Sequence, residues 1–186
     1  MRRLAPLFVV ATLMLASGTA RAGYLTAGIS SEANLSGDLA THFSTQGQGG
    51  GLVGIGFRFG QLALEGSLAG SDMISRSALG DRLDYTAISA GADLKYFVGL
   101  TGPLEAYGKF GLHRTWLTSH SDGGLHESGD SWAAGAGLQL GFSLGPIGQA
   151  GLVLDFTHRD MDLSEAGRRD LEGGARTLTL GMLVGF

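Results

Sequence analysis

Residues 173–186 read GGARTLTLGMLVGF, and the reading of this stretch decides the fold. Counting back from its end, Phe186, Val184, Met182, Leu180 and Leu178 fall on one face, while Gly185, Gly181, Thr179 and Thr177 fall on the other. A period of two is that of an extended strand with one apolar face. A strand of about ten residues is also long enough for a tilted crossing of a bilayer. Taken alone, the stretch also admits the last strand of a soluble sandwich, and the rest of the chain has to discriminate.

Seven further segments alternate in the same way. They begin near Gly23, Gly51, Leu62, Tyr85, Leu104, Trp132 and Gln149 and end near Ala33, Phe59, Ser71, Phe97, Trp116, Leu144 and Arg159. In the second, Val53, Ile55, Phe57 and Phe59 face away from Gly54, Gly56 and Arg58; in the fifth, Leu104, Phe110, Leu112 and Trp116 face away from Glu105, Tyr107, Lys109, Gly111 and His113. The connections alternate too. Gly60-Gln61, Gly99 to Pro103 and Gly145 to Gly148 are short, whereas the others, such as SHSDGGLHESGD (119–130) and MDLSEAGRRDLEGG (161–174), are polar and longer. Short turns at one end and long loops at the other predict an all-β, eight-stranded antiparallel up-and-down transmembrane β-barrel.

The phase of the alternation separates this from a soluble barrel with its apolar face turned inward. The second face of a soluble barrel would be a solvated surface rich in Lys, Glu and Asp, yet here it is mostly Gly, Ala, Ser and Thr. Small residues with a few charges suit the filled interior of a narrow barrel, and the apolar face then meets lipid. Phe57, Phe59, Tyr96, Phe142 and Phe186 fall outward near the short turns, and Trp116, Trp132 and Phe156 outward nearer the long loops, as two interfacial girdles require. Closure supplies every backbone N–H and C=O with a partner, which hydrocarbon cannot do.

The N-terminus reads MRRLAPLFVVATLMLASGTARA: two arginines, an apolar run from Leu4 to Leu15, then Ala20-Arg21-Ala22. This is the pattern of a secretory signal peptide, so residues 1–22 are expected to be removed and 23–186 to form the barrel domain. The chain carries 13 basic and 17 acidic residues; without Arg2, Arg3 and Arg21 its net charge falls to −7, which leaves no basic surface for nucleic acid. Cysteine is absent, which excludes disulfides, thiol nucleophiles and thiolate metal sites. Glycine, at 33 residues, lacks the three-residue period of collagen. No cofactor motif is present: Gly135-x-Gly137 is followed by no helix and reads as space for packed interior side chains.

At this point the mature chain resembles the small outer-membrane β-barrel family, the OmpA/OmpX-like superfamily. GPLEAYGKFGL (102–112) is similar to the family's central ascending strand, and TLGMLVGF (179–186) to its closing one. Thr179, Gly181, Val184 and Phe186 resemble the C-terminal insertion signal of such barrels, with Val184 where an aromatic is usual. The resemblance implies a surface-exposed, monomeric protein of a Gram-negative outer membrane, in contact with lipid, lipopolysaccharide and the barrel assembly machinery. Its members serve as envelope stabilisers, adhesins, defence factors and, rarely, lipid-modifying enzymes, so the resemblance names an architecture and not one activity.

The residues suggest several sites. The inward face carries Arg58, Lys95 and Lys109 with Glu65, Asp93, Glu105 and Asp155. Mixed signs at similar depth predict an ion-pair network filling the lumen, with Arg58 facing Glu65 across the Gly60-Gln61 turn; the alternative is a narrow permeation path. Arg114 and Arg176, outward at the long-loop end, can contact lipopolysaccharide phosphates. His158, Asp160 and Ser164 reach the same rim, but the spacing differs from the His-x-Ser arrangement of lipid A deacylases, because Asp160 stands where the serine would be. His120, Asp122, His126, Glu127 and Asp130 share one glycine-rich loop without fixed metal-site spacing. The expectation is therefore a non-enzymatic surface barrel with an envelope-structural or adhesive role, without cofactor, catalytic residue or metal; a small pore and a lipid A-modifying enzyme are the alternatives.

Overall fold

The computed structural model describes residues 22–44, 49–76, 82–119, 126–145, 148–163 and 171–186. Of residues 1–22, expected to be a signal peptide, all but Ala22 lie outside the described residues. Among the described residues nine strands form: β1 (Ala22–Gly37), the two-residue β2 (Phe43–Ser44), β3 (Gly49–Phe59), β4 (Leu62–Arg76), β5 (Arg82–Thr101), β6 (Leu104–Ser119), β7 (His126–Ser143), β8 (Gln149–Leu163) and β9 (Leu171–Gly185), with one short helix, α1 (Asp38–His42). The eight long strands pair antiparallel with their sequence neighbours; β4 with β5 and β1 with β9 complete the ring, so the sheet is a closed barrel without edges. β2 adds a bridge from the first long loop onto β4 through Phe43↔Ser75 and Ser44↔Ile74.

The pairing is staggered. Followed from Thr26 through Gly54, Ser67, Gly91, His113, Ser131, Met161 and Gly173, the register returns to β1 at Gly37 instead of Thr26. Such a stagger tilts the strands against the barrel axis. At the short-turn end, Gly60, Gly102 and Gly145 adopt the left-handed conformation with φ of 64°, 56° and 69°, which glycine enters without a Cβ clash. The second turn is tighter than the sequence suggests: β5 runs on through Leu100 and Thr101, past an irregularity after Gly99, and only Gly102-Pro103 remain outside the strands.

The outward face is apolar through the membrane band. Ile29 is 72% exposed, Met182 62% and Leu180 56%, and Leu25, Val53, Leu68, Leu94, Phe110, Leu138, Leu152 and Leu154 are also exposed. In water such a surface would be unstable, whereas lipid covers it without penalty.

Every strand that borders a long loop extends beyond its expected end, because the polarity of the barrel inverts there. Above the membrane band the outward positions turn polar (Asp72, Asp84, Thr86, Thr118, Asp130, Asp160, Asp162, Glu172) and the inward ones turn apolar. Leu39 of α1, Tyr85, Ala87, Leu117, Met161, Leu163 and Ala175 pack into one buried cluster that fills the mouth, with Leu35 against it. In β1 the change of phase has a visible device: an irregularity between Glu32 and Asn34 shifts the register, so that Leu35 points inward while Asn34 and Ser36 are exposed. A β-bulge re-aims the side chains beyond it in this way. A second cluster, Tyr24, Ala63, Phe97, Tyr107, Val153 and Leu183, lies inside near the short turns.

Candidate functional site

Between the two apolar clusters the lumen is charged. Where the outward face carries Leu64, Leu94, Phe110 and Leu154, the adjacent inward positions are Glu65, Asp93, Lys95, Lys109 and Asp155. Glu65 stands directly opposite Asp93 across β4 and β5, an arrangement of like charges that is unfavourable unless cations intervene. Lys95 Nζ donates to Glu65 Oε2 at 2.7 Å, and His113 Nε2 lies 3.0 Å from Asp93 Oδ1; both pairs are buried. Gly111 makes room for the second pair, because a Cβ there would strike the Asp93 carboxylate.

Asp155 is the most heavily engaged carboxylate. Lys109 Nζ donates to its Oδ1 at 2.7 Å, the Tyr107 hydroxyl donates to its Oδ2 at 2.6 Å, and the Thr157 hydroxyl donates to Oδ1 as well. Tyr107 and Lys109 come from β6 and cross over β7 to reach it. They can do so because β7 carries Gly135 and Gly137 beneath them: a Cβ at Gly137 would meet the Tyr107 ring, and one at Gly135 would come within 3.0 Å of Lys109 Cε. Lys95 Nζ also lies 5.0 Å from the Tyr107 ring centroid, close enough for a cation–π contact.

Nearer the short turns, Arg58 forks onto Glu105, Nη1 to Oε2 at 2.6 Å and Nη2 to Oε1 at 2.8 Å, while its Nε donates to the Gly60 carbonyl at 2.8 Å. Its guanidinium lies 4.2 Å over the Phe97 ring. The expected contact between Arg58 and Glu65 is replaced by this one. In the observed register Arg58 faces Ala63 and Glu65 faces Gly56; Arg58 reaches Glu105 on β6, and Lys95 takes Glu65 instead. The partners that sequence reasoning left out of the network are His113, Tyr107 and Thr157. Parity places the first two inward, but their partners lie on other strands and only the register brings them together.

Above the charged layer a cavity of about 20 Å³ is lined by Ser30, Ser71, Ser89, Thr115, Thr157 and Arg159 among others, room for about one water. Ser89 and Thr115 share a hydrogen bond of 2.7 Å there.

At the outer rim, Arg114 is exposed and pairs loosely with Asp130 at 3.5 Å and with Ser128 at 3.4 Å. Arg176 is exposed on β9, opposite His158 of β8 and Asn34 of β1. The His158 ring stands edge-on to Trp132 at 5.8 Å, and Asp160 is exposed one rung farther out; Ser164 lies outside the described residues. Of the five residues grouped as a loop set, His120 and Asp122 lie outside the described residues. His126, Glu127 and Asp130 belong to β7 instead of a loop, with Glu127 buried inward and Asp130 outward, so strand parity splits the set. Among the described residues no group of three or more His, Cys, Asp or Glu is placed to hold a metal ion. On the closing strand Thr179 is buried in the lumen and Val184 and Phe186 are exposed, while Phe186 exchanges hydrogen bonds with Gly23 at 2.9 and 3.1 Å.

The fold has solved counterparts. Neisserial surface protein A (NspA) superposes with a TM-score of 0.62 at 15% identity, covering 89% of this chain and 99% of that one. OprG of Pseudomonas aeruginosa gives 0.51 at 12% identity, covering 90% and 97%. Ail, the attachment invasion locus protein of Yersinia pestis, solved in complex with the heparin analogue sucrose octasulfate, gives 0.50 at 19% identity, covering 89% and 98%. At these identities the likeness is one of fold. No curated protein is recognisably similar in sequence. The family model of the outer membrane protein beta-barrel domain matches residues 4–186, and the chain belongs to that family of outer-membrane proteins.

Proposed function

We propose that this protein is a non-enzymatic surface barrel whose lumen is closed and whose work is done at its loop-side rim, as an envelope-structural or adhesive element. The observation that carries the reading is the occupied interior: the buried pairs Lys95–Glu65, His113–Asp93 and Lys109–Asp155 lie in the lumen between two apolar clusters. Ions entering would have to displace paired charges from a narrow interior, at a cost of several kcal/mol. On this reading residues 1–22 are removed on export and 23–186 form the working domain. The closing strand, through Thr179, Gly181, Val184 and Phe186, is the element presented to the assembly machinery. Arg114 and Arg176 face the phosphates of lipopolysaccharide. Planar-bilayer recording of the purified barrel tests the closed lumen: the expected result is no stable conductance, and a reproducible ion-selective step supports the pore reading instead. Unaltered lipid A mass spectra after expression are expected as well, since Asp160 stands where the His-x-Ser arrangement of a deacylase has its serine.

A further inference from the structure

The two rim arginines are not equivalent. Arg114 has an acid directly opposite it, Asp130, and the two form an ion pair. Arg176 has none: its cross-strand neighbours are His158 and Asn34, and Asp160 stands opposite Gly174, one rung farther out. Among the described residues Arg176 forms no ion pair, and His158 beside it is half-buried, with its Nδ1 covered. Directly opposite residues on one face have Cβ atoms about 5 Å apart, so an amide, a guanidinium and an imidazole stand in one row across β1, β9 and β8.

The row is held at a defined height. The rings of Phe110, Trp132 and His158 follow one another, with centroids 6.4 and 5.8 Å apart, and fix the imidazole at the aromatic level. One rung toward the membrane stand Phe156 and Leu178, opposite each other and exposed; one rung outward Gly174 presents no side chain. The surface therefore passes from apolar to donor-rich to acidic within a few residues on one strand pair. That sequence of layers matches an amphiphile with acyl chains below and an anionic headgroup at donor height.

We propose that Arg176, flanked by His158 and Asn34, forms a phosphate-binding row for the headgroup of a phosphorylated outer-leaflet glycolipid whose acyl chains lie against Phe156 and Leu178. This rests on the reading of the rim as a lipopolysaccharide contact and narrows it: the site spans β1, β9 and β8, and Arg114, held by Asp130, is secondary to it. A guanidinium fork suits phosphate oxygens, and an anion on Arg176 would supply the counter-charge that no acid directly opposite it provides.

The test is the retention of bisphosphorylated lipid A by the full-length mature barrel in detergent, with heat-modifiable gel migration as the check of folding. Arg176→Gln is expected to weaken retention about tenfold, as loss of a charge-assisted contact does; His158→Gln is expected to weaken it less, Arg176→Lys to keep part of it, and Arg114→Gln to weaken it much less than Arg176→Gln does. Dephosphorylated lipid A should bind the wild type only as well as the intact lipid binds Arg176→Gln, and millimolar inorganic phosphate should not displace the lipid. Unchanged retention by Arg176→Gln overturns the proposal, as does inorganic phosphate binding that depends on Arg176 but competes fully with lipid. Loss in Arg114→Gln alone overturns the row while keeping the rim contact; no retention by the wild type removes both.

Discussion

Lys95 Nζ lies 2.7 Å from Glu65 Oε2, in a lumen where Glu65 itself stands directly opposite Asp93. The lysine therefore offsets the charge of one of two buried carboxylates that face each other. Removing it alone, as Lys95→Met, leaves Glu65 buried without its cation, for which a loss of about 3–5 kcal/mol is expected. The double substitution Glu65→Gln with Lys95→Met removes the pair together and is expected to recover most of that loss, since a well-packed replacement of a buried pair is often neutral. Equilibrium unfolding in urea from lipid vesicles measures both. A single variant as stable as the wild type would show that the pair does not hold the barrel together.

The Arg58–Glu105 fork sits closer to the short-turn mouth, with side chains 26% and 25% exposed. Water and salt reach it, and its weight should fall accordingly. Glu105→Gln is expected to destabilise by about 1 kcal/mol, with the difference from wild type shrinking as salt is raised. The same salt series should leave the Lys95→Met difference nearly unchanged, because that pair is shielded. If both variants respond to salt alike, the burial gradient along the lumen is wrong.

The membrane-spanning part of this architecture was legible in sequence because one physical rule covers it: lipid requires an apolar side chain at every second position. Leu178, Leu180, Met182 and Val184 obey it, and the inward charges follow by parity. What escaped was governed by other rules. Beyond the membrane the outward face meets water, so Asp160 and Asp162 replace Leu152 and Leu154 along one strand while Met161 and Leu163 turn inward. A reading that looks for outward apolar residues ends the strand there. The bulge between Glu32 and Asn34 hides the continuation of β1 for a second reason, since it reverses the parity itself. The network partners escaped because His113 and Asp93 meet only through register, which alternation alone does not specify.

The cluster above the membrane makes its own prediction. Leu117 and Leu39 are almost wholly buried, at 2% and 1% exposure, in a core built like that of a water-soluble barrel. Leu117→Ala is expected to cost about 2–5 kcal/mol through lost burial and the cavity left behind. Leu39→Ala acts more locally, because α1 touches the barrel mainly at its mouth. It should speed proteolysis near Asp38–His42 while the heat-modifiable migration of the barrel stays intact. Equal protease resistance in the two proteins would show that Leu39 does not anchor the helix.

Along β9 the outward face descends from Arg176 through Leu178 to Leu180, from the rim into the apolar band. An arginine costs about 2–4 kcal/mol at the bilayer midplane and close to nothing at the interface. Leu180→Arg should therefore lower unfolding stability by most of that range, and Leu178→Arg by less, because its longer side chain can reach toward the rim. Arg176→Leu should change stability little, whatever it does to lipid retention. The ordering matters more than any single value, since a soluble barrel of the same shape would tolerate arginine at all three positions equally. A flat series, with the Leu180→Arg protein stable in buffer without detergent, would place this face in water and overturn the assignment of inside and outside.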